Sequence, residues 1–165
     1  MTADDERLTR LLELVSREDQ HLLAVRRRLL NDDCHITADR VTAILADDVG
    51  IDRLESFGAK FGRMQDTVID KLVPTLLRVA GESTGAAIDN LSRLERIGLV
   101  ESSDAWLEMR ALRNRLVDEY MDRSDALAAA LERACRFTDT MHDDFGRMRA
   151  YAEQRLLAPG SLSPD

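Results

Sequence analysis

Proline, glycine and aromatic residues are scarce in this chain of 165 residues: three prolines, eight glycines, one tryptophan, two tyrosines and four phenylalanines. All-β folds spend Gly and Pro on turns and aromatics on sheet faces, so the shortage argues for helices. Positive charge is in deficit as well. The formal net charge is −8, so no global field draws in a phosphate backbone, and any nucleic-acid contact has to be local. Long apolar runs are missing: the longest, Ala126 to Leu131, falls far short of the roughly 20 residues a bilayer crossing needs, and no membrane partner is expected. The acidic start, Met1 to Arg7, lacks the basic and apolar regions of a secretion signal. With Cys34 and Cys135 as the only thiols, the expectation is a reducing cytoplasm in which the two stay unpaired.

Charged residues make up 33% and hydrophobic residues 44% of the chain, too apolar for a disordered segment and too charged for a membrane bundle. Leu8, Val15, Leu22 and Leu29 recur every seven residues, with Leu11 and Val25 between them, which predicts a helix over 3–30 ended by Asn31-Asp32-Asp33. Thr37 is placed to cap a short helix through Val41, Ile44 and Leu45, which Gly50 should break. The next apolar stripe runs from Leu54 through Phe57, Phe61 and Met64 to Leu76 and closes at Gly81, with a kink predicted at Pro74. Gly58 and Gly62, four apart on it, would let a neighbour approach closely. Ala87 to Ile97 reads as a short helix stopped by Gly98, Ser102 or Ser103 caps one carrying Trp106 through Tyr120, and Ser124 opens a last long one. The fold predicted is an all-α antiparallel helical bundle of three long and two or three shorter helices, one domain over 1–157 with a flexible tail at 158–165.

No chemistry announces itself through metal ligands or a phosphate loop. Cys34 and His35 are adjacent, His21 and His142 lie on different helices, and the acidic doublets Asp32-Asp33, Asp47-Asp48 and Asp143-Asp144 read as solvated or as complements to helix dipoles. Gly81 to Gly85 lacks the lysine and preceding strand of a nucleotide cradle. Neither metal nor cofactor is expected. The informative segment is Leu112 to Tyr120. In a continuous helix Arg113 falls on the apolar face with Met109, Leu116 and Tyr120, where a guanidinium needs a carboxylate or a wet groove. Asn114 and Asp118 share the adjacent face. The alternative reading has Arg113 reaching the bundle rim, Asp118 paired with Arg115 and Tyr120 in the core.

Arg113-Asn114-Arg115-Leu116-Val117-Asp118-Glu119-Tyr120 resembles the signature of HEPN domains of the HepT-like family, which is Arg, usually Asn, three variable residues, His, any residue, Tyr. The tryptophan-led helix before it, the long helix after it and the upstream Phe61 to Asp66 segment fit the same resemblance, which spans about Leu8 to Tyr151. It implies a helical homodimer whose two motifs meet in a cleft, and a metal-independent endoribonuclease acting on RNA. It also implies a toxin–antitoxin pairing with a nucleotidyltransferase that can attach AMP to the motif tyrosine, here Tyr120. Arg113 and Asn114 match the catalytic positions. The histidine position is Asp118. A carboxylate is a weak base and almost never protonated at neutral pH, so ribonuclease activity is expected to be impaired. The alternative function is a non-catalytic dimeric binding or structural protein.

Overall fold

The computed structural model describes residues 1–116 and 123–157, and these are all helix and connection, with no strand among them. Helix α1, Ala3–Leu30, begins at a reciprocal cap: Thr2 Oγ1 accepts from the Asp5 amide at 3.1 Å, and the Asp5 carboxylate accepts from the Thr2 amide at 2.8 Å. It ends on Asn31 in the left-handed region, φ 53°. Thr37 caps α2, Ala38–Leu45, as the spacing predicts. Gly50 does not break a helix, because α3 starts two residues earlier at Asp48 under an Asp47 cap and runs to Thr67. The glycine serves a close approach instead: a Cβ there would lie 2.1 Å from the Ile44 carbonyl oxygen of α2.

The long third stripe is one helical rod with a fault. A π-helical turn, Val68–Leu72, separates α3 from α4, Val73–Val79. In it the Val73 amide reaches five residues back to the Val68 carbonyl, and this wider turn stands where Pro74, unable to donate, would otherwise crowd the preceding turn. Gly81 then ends the rod at φ 79°, with the Glu82 amide bonded to the Leu77 carbonyl. Helix α5, Ala87–Arg96, stops at Gly98, φ 81°, and Ser102 caps α6, Ser103–Arg113. Helix α7, Ser124–Tyr151, passes into a second π-helical turn, Ala152–Leu156. Its first hydroxyl, on Ser124, accepts from Thr42 of α2.

Side-chain pairs give the directions. Glu18 meets Thr67, Arg28 meets Arg53 and Asp4 meets Arg78, so α1 runs antiparallel to α3 and α4. Arg26 meets Thr138 and Asp139, and Asp19 meets His142, so α1 is antiparallel to α7 too. Helix α6 closes the other side, Arg110 on Asp70 and Glu108 on Arg133. Among the described residues the all-α antiparallel bundle, three long and three shorter helices, is therefore as predicted. Its centre is an aromatic chain: Phe57 stacks on Phe61 at 5.8 Å, Phe61 meets Phe137 edge-on at 6.2 Å, and Trp106 meets Phe137 at 5.5 Å, tying α3, α7 and α6 together.

Asp144 departs from the solvated role expected of the doublets. It sits mid-helix, fully buried, accepting from Trp106 Nε1 at 2.7 Å, from the Glu101 amide at 3.3 Å and from Arg147. Burial pushes its carboxyl above the ordinary range, against the pull of those donors. A fully buried indole N–H needs an acceptor, and only the tertiary arrangement reveals which residue supplies it.

The cysteines also depart from expectation. Cys34, in the linker after α1, is joined by a disulfide to Cys135 in the middle of α7. A count of two offered no framework signal; the pairing follows from the linker lying along α7, where the Ile36 amide also donates to Glu132. The thiol count therefore no longer argues for a reducing compartment. The bond spans 101 positions, and a loop that long should confer about 4.7 kcal/mol by restricting the unfolded chain. Denaturant unfolding with and without reductant should show a shift of that size, and Cys135→Ser should abolish the difference between the two conditions.

Candidate functional site

The predicted helix through Tyr120 ends early. Helix α6 stops at Arg113, residues 114–116 form a turn, and Asp118 and Tyr120 lie outside the described residues. Arg113 is thus the last residue of a helix at the bundle surface, while Met109 and Leu112 behind it and Leu116 after it are buried. Its guanidinium reaches across to α3. Nη1 donates to the Gly62 carbonyl at 2.8 Å and stands 2.6 Å from Asp66 Oδ1, and Nε donates to Asn114 Oδ1 at 3.4 Å. Gly62 is the close-approach glycine that the four-residue spacing flagged: a Cβ there would lie 3.2 Å from Arg113 Cδ, so the bare backbone gives the arginine stem its bed.

Around this contact lies a shallow groove of about 370 Å³ lined by Gly58, Ala59, Gly62, Arg63, Asp66, Arg113 and Asn114. Arg113 and Asn114 are brought together here. The carboxylate that Arg113 requires is Asp66, from the Phe61 to Asp66 segment. Asn114 accepts from Arg113 Nε rather than standing apart on an adjacent face.

Two residues that the resemblance did not mark, Arg110 and Asp70, complete the arrangement. One turn before Arg113, Arg110 grips Asp70 with both terminal nitrogens at 3.0 and 2.8 Å and lies 3.7 Å from Asp66. That fork raises the Arg110 guanidinium further above its already high range. The signal was in the sequence as acids at 66 and 70 facing arginines at 110 and 113, one turn apart on each helix.

The histidines stay apart from the groove. His35 faces Glu132 at 3.6 Å, His142 holds Asp19 at 2.6 Å on the α1–α7 side, and His21 shares a small cleft with Glu18, Lys60 and Arg63. None of the three lines the Arg113 groove. A larger cavity, about 410 Å³, opens between α4, α5 and α7; Leu76, Leu77, Ile97 and Tyr151 line it together with Arg96 and the paired Glu82 and Arg93, away from the motif residues. Among the described residues no group of His, Cys, Asp and Glu is disposed to hold a metal, and no helix is long and apolar enough to cross a membrane.

Compared with protein-family models, curated proteins and solved structures, the chain matches none. What the site can do is therefore argued from its own groups. An arginine on a groove lip can meet an anion, but Nε and Nη1 of Arg113 are already engaged by Asn114, the Gly62 carbonyl and Asp66. Its charge is largely spent within the fold.

Glu18, at the far side of Arg63 from the groove, is the partly buried acid of the α1–α3 seam. It accepts from Thr67 Oγ1 at 3.1 Å, and burial raises its carboxyl above the usual value while Thr67 and Arg63 pull it down. A raised folded-state pKa means that the folded protein binds the proton more readily than the unfolded chain. Stability from this group is then greatest below the ordinary glutamate range and falls as pH rises through the raised value. Glu18→Gln, which keeps an acceptor for Thr67, should gain stability relative to the natural chain as pH climbs from about 4 towards neutrality. Denaturation midpoints across that range check it; a constant difference between the two proteins would contradict the shift.

Proposed function

We propose that this protein is a HepT-like HEPN protein, one half of a toxin–antitoxin pair with a nucleotidyltransferase, whose metal-independent ribonuclease site is impaired. The observation that carries the reading is Arg113 itself: the motif arginine stands with Asn114 at the lip of an open groove, seated on the Phe61 to Asp66 segment that belongs to the same resemblance. Impairment has two physical sources. Asp118 replaces the imidazole that would move the ribose 2′-hydroxyl proton, and Asp66 absorbs the charge that Arg113 would lend to a phosphate in the transition state.

The homodimer belongs to the same proposal. Gly58 and Ala59 line the groove on α3 beside Arg113 without bulky side chains, which favours close approach of a second copy and would face two Arg113 residues toward one cleft. Light scattering should return about twice the chain mass of 18.6 kDa, and a monomer at micromolar concentration would remove the cleft. In that setting Tyr120 is the acceptor for AMP from the partner transferase. The Asp66 pairing favours, as second reading, a dimer that binds RNA or the transferase without cutting.

Cleavage of a labelled RNA in chelator tests the chemistry. The natural chain should stay near background, and Asp118→His should raise the rate at least tenfold, since general acid–base catalysis is typically worth about a hundredfold or more. Asp118→His with Asp66→Asn should exceed it, because Arg113 is then released, and Asp118→His with Arg113→Ala should return to background. Strong cleavage by the natural chain that Asp118→His diminishes would mean the carboxylate is the working base and the impaired-site reading is wrong.

A further inference from the structure

The outer surface of α3 carries two adjoining stripes of opposite charge. At about 100° per residue, positions 52, 55, 59, 62, 66 and 70 share one line, and 53, 56, 60, 63, 67 and 71 share the next. The first holds Asp52, Glu55, Asp66 and Asp70, of which Asp66 and Asp70 are answered by Arg110 and Arg113 of α6. The second holds Arg53, Lys60, Arg63 and Lys71 and not one acid. Both lysines of the chain are in it.

This second stripe borders α1, as the Thr67 to Glu18 and Arg53 to Arg28 carbonyl contacts record. Across the seam α1 adds His21, which shares a cleft with Lys60 and Arg63. Arg53, Arg63, Lys71 and His21 are exposed and Lys60 is half-buried. None of the stripe's four cations, Arg53, Lys60, Arg63 and Lys71, has a carboxylate within 4 Å among the described residues; Lys60 donates to Ser56 and Arg53 to a carbonyl. Glu18, the carboxylate that lines the same cleft, is half-buried and accepts from Thr67. In a chain of net charge −8, where ten arginines find carboxylates within 4 Å, four cations over about 27 Å with only the half-buried Glu18 acting on Arg63 and Lys71 form a line of excess positive charge.

We propose that the α1–α3 seam is a track for the phosphate backbone of single-stranded RNA, leading to the Arg113 groove through Arg63, which lines both clefts. The inference rests on the RNA-directed reading above and supplies the binding surface that reading lacks, since Arg113 is already paired. The line is narrow, one residue wide and several phosphates long, which suits a strand. A lipid surface would call for apolar side chains beside the cations, and the large exposed apolar residues, Met1, Val49, Ile88 and Ile97, lie outside the stripe.

Fluorescence anisotropy of a labelled oligouridylate measures the binding across a salt series. The natural chain should bind with an affinity that falls with salt. Lys60→Gln with Arg63→Gln should lose roughly tenfold and flatten the log–log salt slope by about 1.4, the share of two phosphates on a single strand. Arg96→Gln with Arg155→Gln, an equal change of net charge away from the seam, should bind as the natural chain does, and helical circular dichroism confirms that all variants fold. If Arg113→Ala abolishes binding while the Lys60 and Arg63 pair leaves it intact, the track is refuted and the motif reading stands. Loss with the seam pair but not with Arg113→Ala supports the track and counts against the motif groove. Absence of RNA binding by the natural chain, or binding only to anionic phosphatidylserine vesicles, refutes the track outright.

Discussion

A hydrogen bond sealed inside the bundle decides where the surface chemistry stands. Trp106 is the largest fully buried side chain, and its indole N–H needs an acceptor that water cannot supply. Asp144, equally buried on α7, provides it at 2.7 Å while receiving the Glu101 amide from the connection that leads into α6. Together with the ring contacts to Phe137, this fixes α6 in rotation and height against α7 and α3. Arg113 lies seven residues after Trp106, two turns along the same rod, so the guanidinium arrives at Gly62 and Asp66 because the indole is held where it is. The cost is a carboxylate kept in a poorly solvated place, offset by three donors and by the order it imposes.

Much of the fold was legible because its signals are local. The bounds of α1 follow from a heptad stripe stopped at Asn31, and Thr37, Ser102, Gly81 and Gly98 mark ends that the structure reproduces. The failures share a different cause. Gly50 looked like a breaker since its need is set by the Ile44 carbonyl of another helix, and the π-helical turn before Pro74 has no composition of its own. Asp144 resembled any other acid of a surface doublet; only the indole opposite distinguishes it. Cys34 and Cys135 are far apart in sequence, and nothing in two isolated thiols announces a shared wall.

The candidate site divides along the same line. Arg113 and Asn114 were readable from their motif, and Gly62 from its spacing with Gly58, because each rests on a short-range pattern. That Arg113 would be the last residue of its helix, and that Asp66 would take its charge, depend on how α6 meets α3. The consequence reaches beyond one ion pair. Helix α3 and the turn after it carry Asp66 and Asp70 toward α6, where arginines pair with them, and bases toward α1, where only the half-buried Glu18 faces them, so a chain with excess negative charge still presents a positive line. Net charge summed over a sequence conceals such an arrangement; the helical period exposes it.

The disulfide makes the chain a closed ring with two free arms. Residues 34 to 135 form the ring, carrying α2 through α6 and the first half of α7, while the arms are α1 and the remainder of α7. The arms are not left loose: Arg26 on Thr138 and Asp139, and Asp19 on His142, clasp them to each other beyond the bond. A single cut of the backbone anywhere within the ring, the motif segment included, would leave one covalent molecule. A cut in either arm would release a piece held only by packing.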